Sequence, residues 1–282
     1  MLSNIQILRA FAAINVVIFH VIGASLHYKI PATSLLFMKD WGQNGVDIFF
    51  VISGFIMVYI QEKKNRNPLS FFKDRVQRIV PIYWLLTFIF CCIYFLLPKV
   101  FMGTEISLIE ILTSLFFISN WFGYSYPVLM VGWTLELEMI FYLIFAFCLF
   151  FKNKILSYFL MSFLIIILSI FTRLNLIMME FLLGMICGYF YLNYKISFGF
   201  YFFIIGSLSL LLSIFVEYDV DRFFVWGIPS FFVVLGLLGM VQYKNKFLEY
   251  LGNASYSIYL VQILAIPRLC CTNLSVKGFS AI

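Results

Sequence analysis

Arg9 and His20 stand eleven residues apart in one apolar stretch near the start of the chain. Ionisable groups inside such stretches are costly to bury and mark cavities, partners or reaction sites. Eleven residues of helix make about three turns and about 16 Å of rise, so both side chains project from one face at different depths. A second apolar stretch opens at Trp133, and Glu138 lies about 7.5 Å along it by helix rise, a depth similar to that of His20. An imidazole beside a carboxylate in a poorly solvated cavity is oriented and made more basic, the arrangement of a general base. His20 and Glu138 are therefore the candidate catalytic pair. Asp47 begins another apolar stretch at the same end, close after Gly42 and Gly45, and brings a third polar group to that zone. At the opposite end Arg75 and Arg78 are spaced i, i+3, neighbours if that segment is helical. With Arg9 they form a candidate phosphate clamp.

Each residue also has a bland counterpart. Arg9 fits a snorkelling anchor, His20 a hydrogen bond between helices, and Arg75 with Arg78 an ordinary basic loop. Asp47 fits a helix cap, and Glu138 and Glu180 fit polar contacts between helices.

The elements that must position these groups follow from composition. Of 282 residues, 63% are apolar, 21% aromatic and 11% charged, against soluble averages of about 45–50% apolar and about 25% charged. Nineteen bases and thirteen acids cannot coat a water-soluble globule of this size. The chain must be solvated largely by lipid, which leaves helices or a closed barrel as its spanning structures. Patterning is helical throughout, with spans expected near 5–26, 44–61, 80–97, 133–151, 155–171, 174–193, 197–216, 224–242 and 254–268. The expected fold is an all-α polytopic transmembrane bundle of about nine to ten spans. Residues 1–268 form one membrane domain, and 269–282 form a short polar tail that reads as truncated or frame-altered.

Charge sets the orientation, because cytoplasmic loops collect Lys and Arg. The strongest basic block holds Lys63, Lys64, Arg66, Lys73, Arg75 and Arg78 against Glu62 and Asp74. It is placed inside, with the N-terminus. If 106–122 does not cross, Lys152, Lys154, Lys195, Lys244 and Lys246 also fall inside, and the acidic loop Glu217-Asp219-Asp221 falls outside. Residues 106–122, which follow Glu105 and contain Glu110, are accordingly read as a re-entrant or surface-lying segment at the outer face. The +6 net charge is thus a topology signal, and no nucleic-acid partner is expected. Arg9, an apolar run and Gly23-Ala24-Ser25 imitate a signal peptide, but His20 within the run argues against one. Six cysteines lie mostly in apolar runs without C-x-x-C spacing, so neither a disulfide framework nor a metal site is indicated.

Several motifs in order resemble the membrane-bound acyltransferase 3 family. They are Leu8-Arg9-Ala10 with His20, then Gly45-Val46-Asp47-Ile48-Phe49-Phe50-Val51-Ile52-Ser53-Gly54-Phe55, then Arg75-x-x-Arg78-Ile79-x-Pro81-x-Tyr83-Trp84. Trp133-Thr134-Leu135 with Glu138 and Phe141-Tyr142 follows. Phe181-x-x-Gly184 and Leu251-Gly252-x-x-Ser255-Tyr256-Ser257-x-Tyr259-Leu260 complete the set. The resemblance covers nearly the whole chain to about residue 262. It implies a multi-pass enzyme of the bacterial inner membrane that moves an acyl group, usually acetyl from cytoplasmic acetyl-CoA, to a hydroxyl of an extracytoplasmic sugar. The lipid bilayer, acyl-CoA and a cell-surface glycan or lipid-linked sugar are the implied partners. On that reading Arg9, Arg75 and Arg78 meet the phosphates of the donor. His20 deprotonates the acceptor hydroxyl or carries the acyl group, and Glu138 orients His20 or binds sugar. Asp47, with Ser53 and Trp133 from the same motifs, holds the acceptor.

The chain departs from the family's pattern in two places. Gln262 stands where the family commonly has His, so no second imidazole is available, and the family tends to have ten spans with both ends inside. Two other readings stand beside the enzyme. A polar stripe through a bundle also suits a transporter or flippase, and the altered tail suits an inactive relic. Outer loops 27–41 and 119–132 are where acceptor choice is expected to reside.

Overall fold

A computed structural model describes residues 2–27, 33–64, 66–96, 106–171, 176–215 and 220–271, without the side chains of 33–35, 171 and 267–271. Glu105, Glu217, Asp219 and the tail 272–282 lie outside the described residues, as do 28–32 of the first outer loop. Among the described residues no strand forms, and ten helices carry the fold: α1 (Ser3–His27), α2 (Asn44–Lys64), α3 (Pro68–Leu96), α4 (Leu108–Leu115), α5 (Trp133–Cys148), α6 (Lys154–Phe171), α7 (Met179–Asn193), α8 (Gly199–Leu212), α9 (Ile228–Gly239) and α10 (Lys246–Cys271). Five segments are long and apolar enough to cross a membrane, namely Ser3–His27, Leu36–Lys64, Pro68–Leu96, Met130–Cys148 and Leu176–Asn193. Lys154–Ile170, Gly199–Phe215 and Phe223–Gly239 are shorter apolar helices. Large apolar side chains such as Phe88, Leu96, Phe159 and Tyr201 stand exposed on the outside of the bundle. A surface of that kind is stable against lipid rather than water, so the chain is a membrane protein.

The helix boundaries differ from the expected spans where polar residues extend a helix or backbone geometry interrupts it. Most of the basic block lies in helices rather than a loop: Lys63 and Lys64 end α2, and α3 starts at Pro68, runs 29 residues through Lys73, Arg75 and Arg78, and keeps Pro81 inside. Pro68 suits a first helical turn, where its missing N–H costs nothing, whereas Pro81 gives up one ladder hydrogen bond. At about 43 Å, α3 outreaches a hydrocarbon core of about 30 Å and presents its basic turns beyond it. Residues 106–122 hold only the eight-residue α4, capped by Ser107, and the short turn Asn120–Phe122. About 12 Å of helix is too short to cross. The expected span 224–242 divides into a π-helical turn, Phe223–Gly227, and α9. The backbone of α10 stays helical through Cys271, three residues past the expected polar boundary.

Packing explains how apolar helices hold a fixed arrangement where lipid offers no hydrophobic gradient between them. Gly54 of α2 and Gly184 of α7 each face the other helix's backbone, and a Cβ at either would collide with a carbonyl oxygen, of Phe181 or Val51. Small residues at such a crossing let two helices close to van der Waals contact. Beside it, aromatic rings pass from α2 to α3 through α7 and α5: Phe50–Phe181 at 4.6 Å, Phe181–Phe141 at 4.4 Å, Phe141–Phe145 at 5.8 Å and Phe145–Phe71 at 5.0 Å. Polar side chains tie the helix ends. Asn4 donates to the carbonyls of Leu237 and Val241 and accepts from the Tyr243 amide. Glu62 joins Lys154 at 2.6 Å and Tyr158 at 3.1 Å, fastening α2 to α6.

Candidate active site: two adjoining cavities

α1, α2, α5 and α10 enclose two cavities in succession along their length. The first, about 80 Å³, lies toward the basic end and is lined by Arg9, Ser53, Arg78, Glu138, Tyr142 and Tyr256, among others. The second, about 560 Å³, lies toward the far end and is lined by His20, Trp133, Glu136, Arg222 and the loop residues Tyr124 to Pro127. Val46 and Tyr259 line both. The Tyr259 hydroxyl donates to the Val131 carbonyl at 3.0 Å and lies 2.8 Å from Thr134 Oγ1, so the ring is latched as a partition.

In the smaller cavity Glu138 accepts from Ser53 Oγ at 2.8 Å and from the Tyr142 hydroxyl, which itself lies 3.0 Å from Ser53. Arg9 is 6% exposed and reaches Gln6 Oε1 at 3.3 Å, with Arg78 and Glu138 nearby. Arg75, 8% exposed, stands behind the lining, and its Nε and Nη1 have no partner among the described residues. A buried guanidinium with idle donors is costly, and an anion reaching it supplies the missing acceptors. Arg75 and Arg78 are thus neighbours on α3, and Arg9 lies near Arg78 at the same end.

In the larger cavity the His20 ring is fixed by its own helix. Nδ1 lies 2.9 Å from the Val16 carbonyl, which can only accept, so Nδ1 carries the proton and Nε2 keeps its lone pair. Phe19 packs edge-on against the imidazole at 5.0 Å. The expected contact between His20 and Glu138 does not form: each has other partners, and they line different cavities. Glu136, two residues earlier on α5, is the carboxylate that shares the cavity of His20. Its oxygens accept the amides of Ser119 at 3.0 Å and Asn120 at 3.3 Å, which anchors the loop roofing the cavity.

The remaining predicted residues divide between the two ends. Trp133 lines the larger cavity with His20, whereas Ser53 faces the smaller one on Glu138. Asp47 is fully buried and lines neither, its oxygens taken up by Arg222 through Nε at 3.1 Å and Nη2 at 2.7 Å. Arg222 is the residue that sequence reasoning passed over. Its guanidinium sits 5.9 Å from the Trp133 ring and 5.1 Å from that of Trp226, and it also donates to the Gln43 carbonyl at 3.3 Å. One signal pointed to it: a lone arginine entering an apolar stretch directly after acidic residues. Among the described residues no group of three or more His, Cys, Asp or Glu is placed to hold a metal.

Such a pair of chambers, cationic at one end and holding a poised imidazole at the other, suits transfer of a group between two substrates. The acyltransferase 3 profile, described as an acyltransferase domain, matches residues 2–267. The chain belongs to the acyltransferase 3 family. It is an acyltransferase enzyme, as the ordered motifs implied. Among curated proteins it is similar to the exopolysaccharide production protein ExoZ of Rhizobium meliloti, 34% identical over 259 residues that cover 83% of this chain and 80% of ExoZ. It is also similar to the O-acetyltransferase OatA of Staphylococcus aureus, 27% identical over 161 residues, 51% of this chain and 24% of OatA. No solved structure matches the chain.

Proposed function

We propose that this family member is a multi-pass O-acyltransferase of the bacterial inner membrane that transfers acetyl from acetyl-CoA to a hydroxyl of an extracytoplasmic glycan. The observation that carries the reading is the pair of adjoining cavities, Arg9 and Arg78 lining one and His20 the other, with Tyr259 between. The basic end, with Lys63, Lys64, Arg66 and Lys73, faces the cytoplasm by the positive-inside tendency. The larger cavity then opens outward, and α4 lies at that face without crossing.

The residues present fit a phosphate-bearing donor, since Arg75 holds two idle donors beside Arg78, which in turn neighbours Arg9. Acyl-CoA supplies the acyl group as a reactive thioester. Arg9, Arg75 and Arg78 bind its phosphates, and the 80 Å³ chamber admits a small acyl group past Ser53 and Tyr142. His20 Nε2 takes the proton of the acceptor hydroxyl as its oxygen attacks the thioester carbonyl, and that proton leaves with CoA as its thiol when the C–S bond breaks. Alternatively Nε2 takes the acyl group first, releasing CoA, and passes it to the hydroxyl. The Val16 carbonyl holds the imidazole in the tautomer that either route needs. Glu138 fixes Ser53 and Tyr142 along the passage, Trp133 offers an apolar face to a sugar ring, and Asp47 acts through Arg222. The exopolysaccharide and O-acetyltransferase descriptions of the two relatives support a polysaccharide acceptor.

The test is O-acyl analysis of surface glycans from a knockout strain that expresses the chain or its His20→Ala variant at equal membrane abundance. Restoration by the parent chain alone supports the reading. Restoration by both removes His20 from the mechanism, and restoration by neither removes the transfer.

A further inference from the structure

Directly behind the larger cavity, beside the Asp47–Arg222 pair, lies a buried acid that the reaction above does not use. Glu180 of α7 is fully buried, and neither carboxylate oxygen has a donor among the described residues. Its carboxyl interacts with that of Asp47 beside it. Gly227 closes the other side, where a Cβ would sit 2.8 Å from Glu180 Oε1 and push the carboxyl aside. Gly227 ends the π-helical turn that follows Arg222, a widened turn of the kind often found at functional sites.

Two buried acids thus share one guanidinium, which reaches the wall of the larger cavity. Asp47 already receives two hydrogen bonds from Arg222. With both acids ionised, Glu180 would be a buried anion without a single donor, a strongly unfavourable state. One proton removes the excess charge and turns a pair of acceptors into a hydrogen bond. The other groups facing the cluster do not offer an alternative. Asp221 accepts the Phe223 amide and is another acid, and the Tyr259 hydroxyl is engaged with Val131 and Thr134.

We propose that Glu180 is a neutral carboxylic acid donating to Asp47, and that this one-proton pair holds Arg222 at the wall of the larger cavity. Glu180 is then a positioning residue for the acceptor side, touching no substrate itself. This rests on reading the larger cavity as the acceptor chamber, but the proton pair is measurable without that reading.

Infrared spectroscopy of the purified full chain in detergent checks the proton directly. Glu180→Gln removes one protonated-carboxyl C=O band that Glu62→Gln retains; an unchanged band in Glu180→Gln overturns the proposal. Kinetics check the positioning. Glu180→Gln keeps a neutral donor toward Asp47 and stays within about threefold of the parent, whereas Glu180→Ala raises the acceptor KM about tenfold with the donor KM unchanged. Equal losses in both variants, or an unchanged acceptor KM in Glu180→Ala, overturn it. If the parent chain transfers nothing, the proposed reaction fails while the infrared band still decides the proton pair.

Discussion

The two cavities are walled by the same helices yet built on different principles. The basic-end chamber is set in long helices and closed by side-chain hydrogen bonds among Ser53, Glu138 and Tyr142. The far-end chamber is seven times larger, about 560 against 80 Å³, and its roof is loop, pinned by Glu136 to the amides of Ser119 and Asn120. Rigid walls suit a donor that is the same in every turnover. A loop roof suits a variable substrate, because loops change without disturbing the scaffold. Tyr259 is where the two designs meet.

The sharpest way to break this division is at His20. His20→Ala removes the one imidazole of the far-end chamber and lowers transfer by about 10²–10⁴-fold. Unchanged thermal unfolding in detergent alongside that loss separates chemistry from folding. Next come the arginines. Arg75→Ala raises the KM for acyl-CoA about ten- to hundredfold, the worth of charge-assisted hydrogen bonds, while the acceptor KM stays; an equal rise in both would erase the distinction between the chambers. Smaller again is the partition. Tyr259→Phe removes the hydroxyl latch on Val131, costs about 1 kcal/mol in thermal unfolding, and raises acyl-CoA hydrolysis without acceptor. The smallest effect belongs to the rim. Lys154→Ala breaks the Glu62 pair, yet the lysine side chain is 69% exposed, so unfolding shifts by about 0–1 kcal/mol and transfer is unchanged.

Much of the fold is legible in the sequence because apolar length and helical patterning survive in any context. α1, α2 and α6 start and end within a few residues of their expected spans. The i, i+3 arginines were read as neighbours, and α3 makes them so. Depth was legible too, since helix rise is fixed, but rotation was not. Glu136 and Glu138 are two residues apart and about 200° apart around α5, so they serve different cavities. Depth alone set Glu138 beside His20; rotation instead turns it to Ser53 and Tyr142. Asp47 shows a second limit. A carboxylate at the start of a span announces a polar partner without naming it, and Arg222 lies 175 residues later. Such pairings depend on tertiary packing, which neither spacing nor composition encodes.

The account's central claim is that an acyl group passes from the basic-end chamber to the far-end chamber of this one chain. The most direct measurement uses sealed proteoliposomes of the purified protein, with labelled acetyl-CoA on the side of the basic loops and the glycan acceptor on the other. The account predicts label on the glycan across the membrane from the parent chain and none from His20→Ala. Label appearing only when donor and acceptor share one side would contradict it.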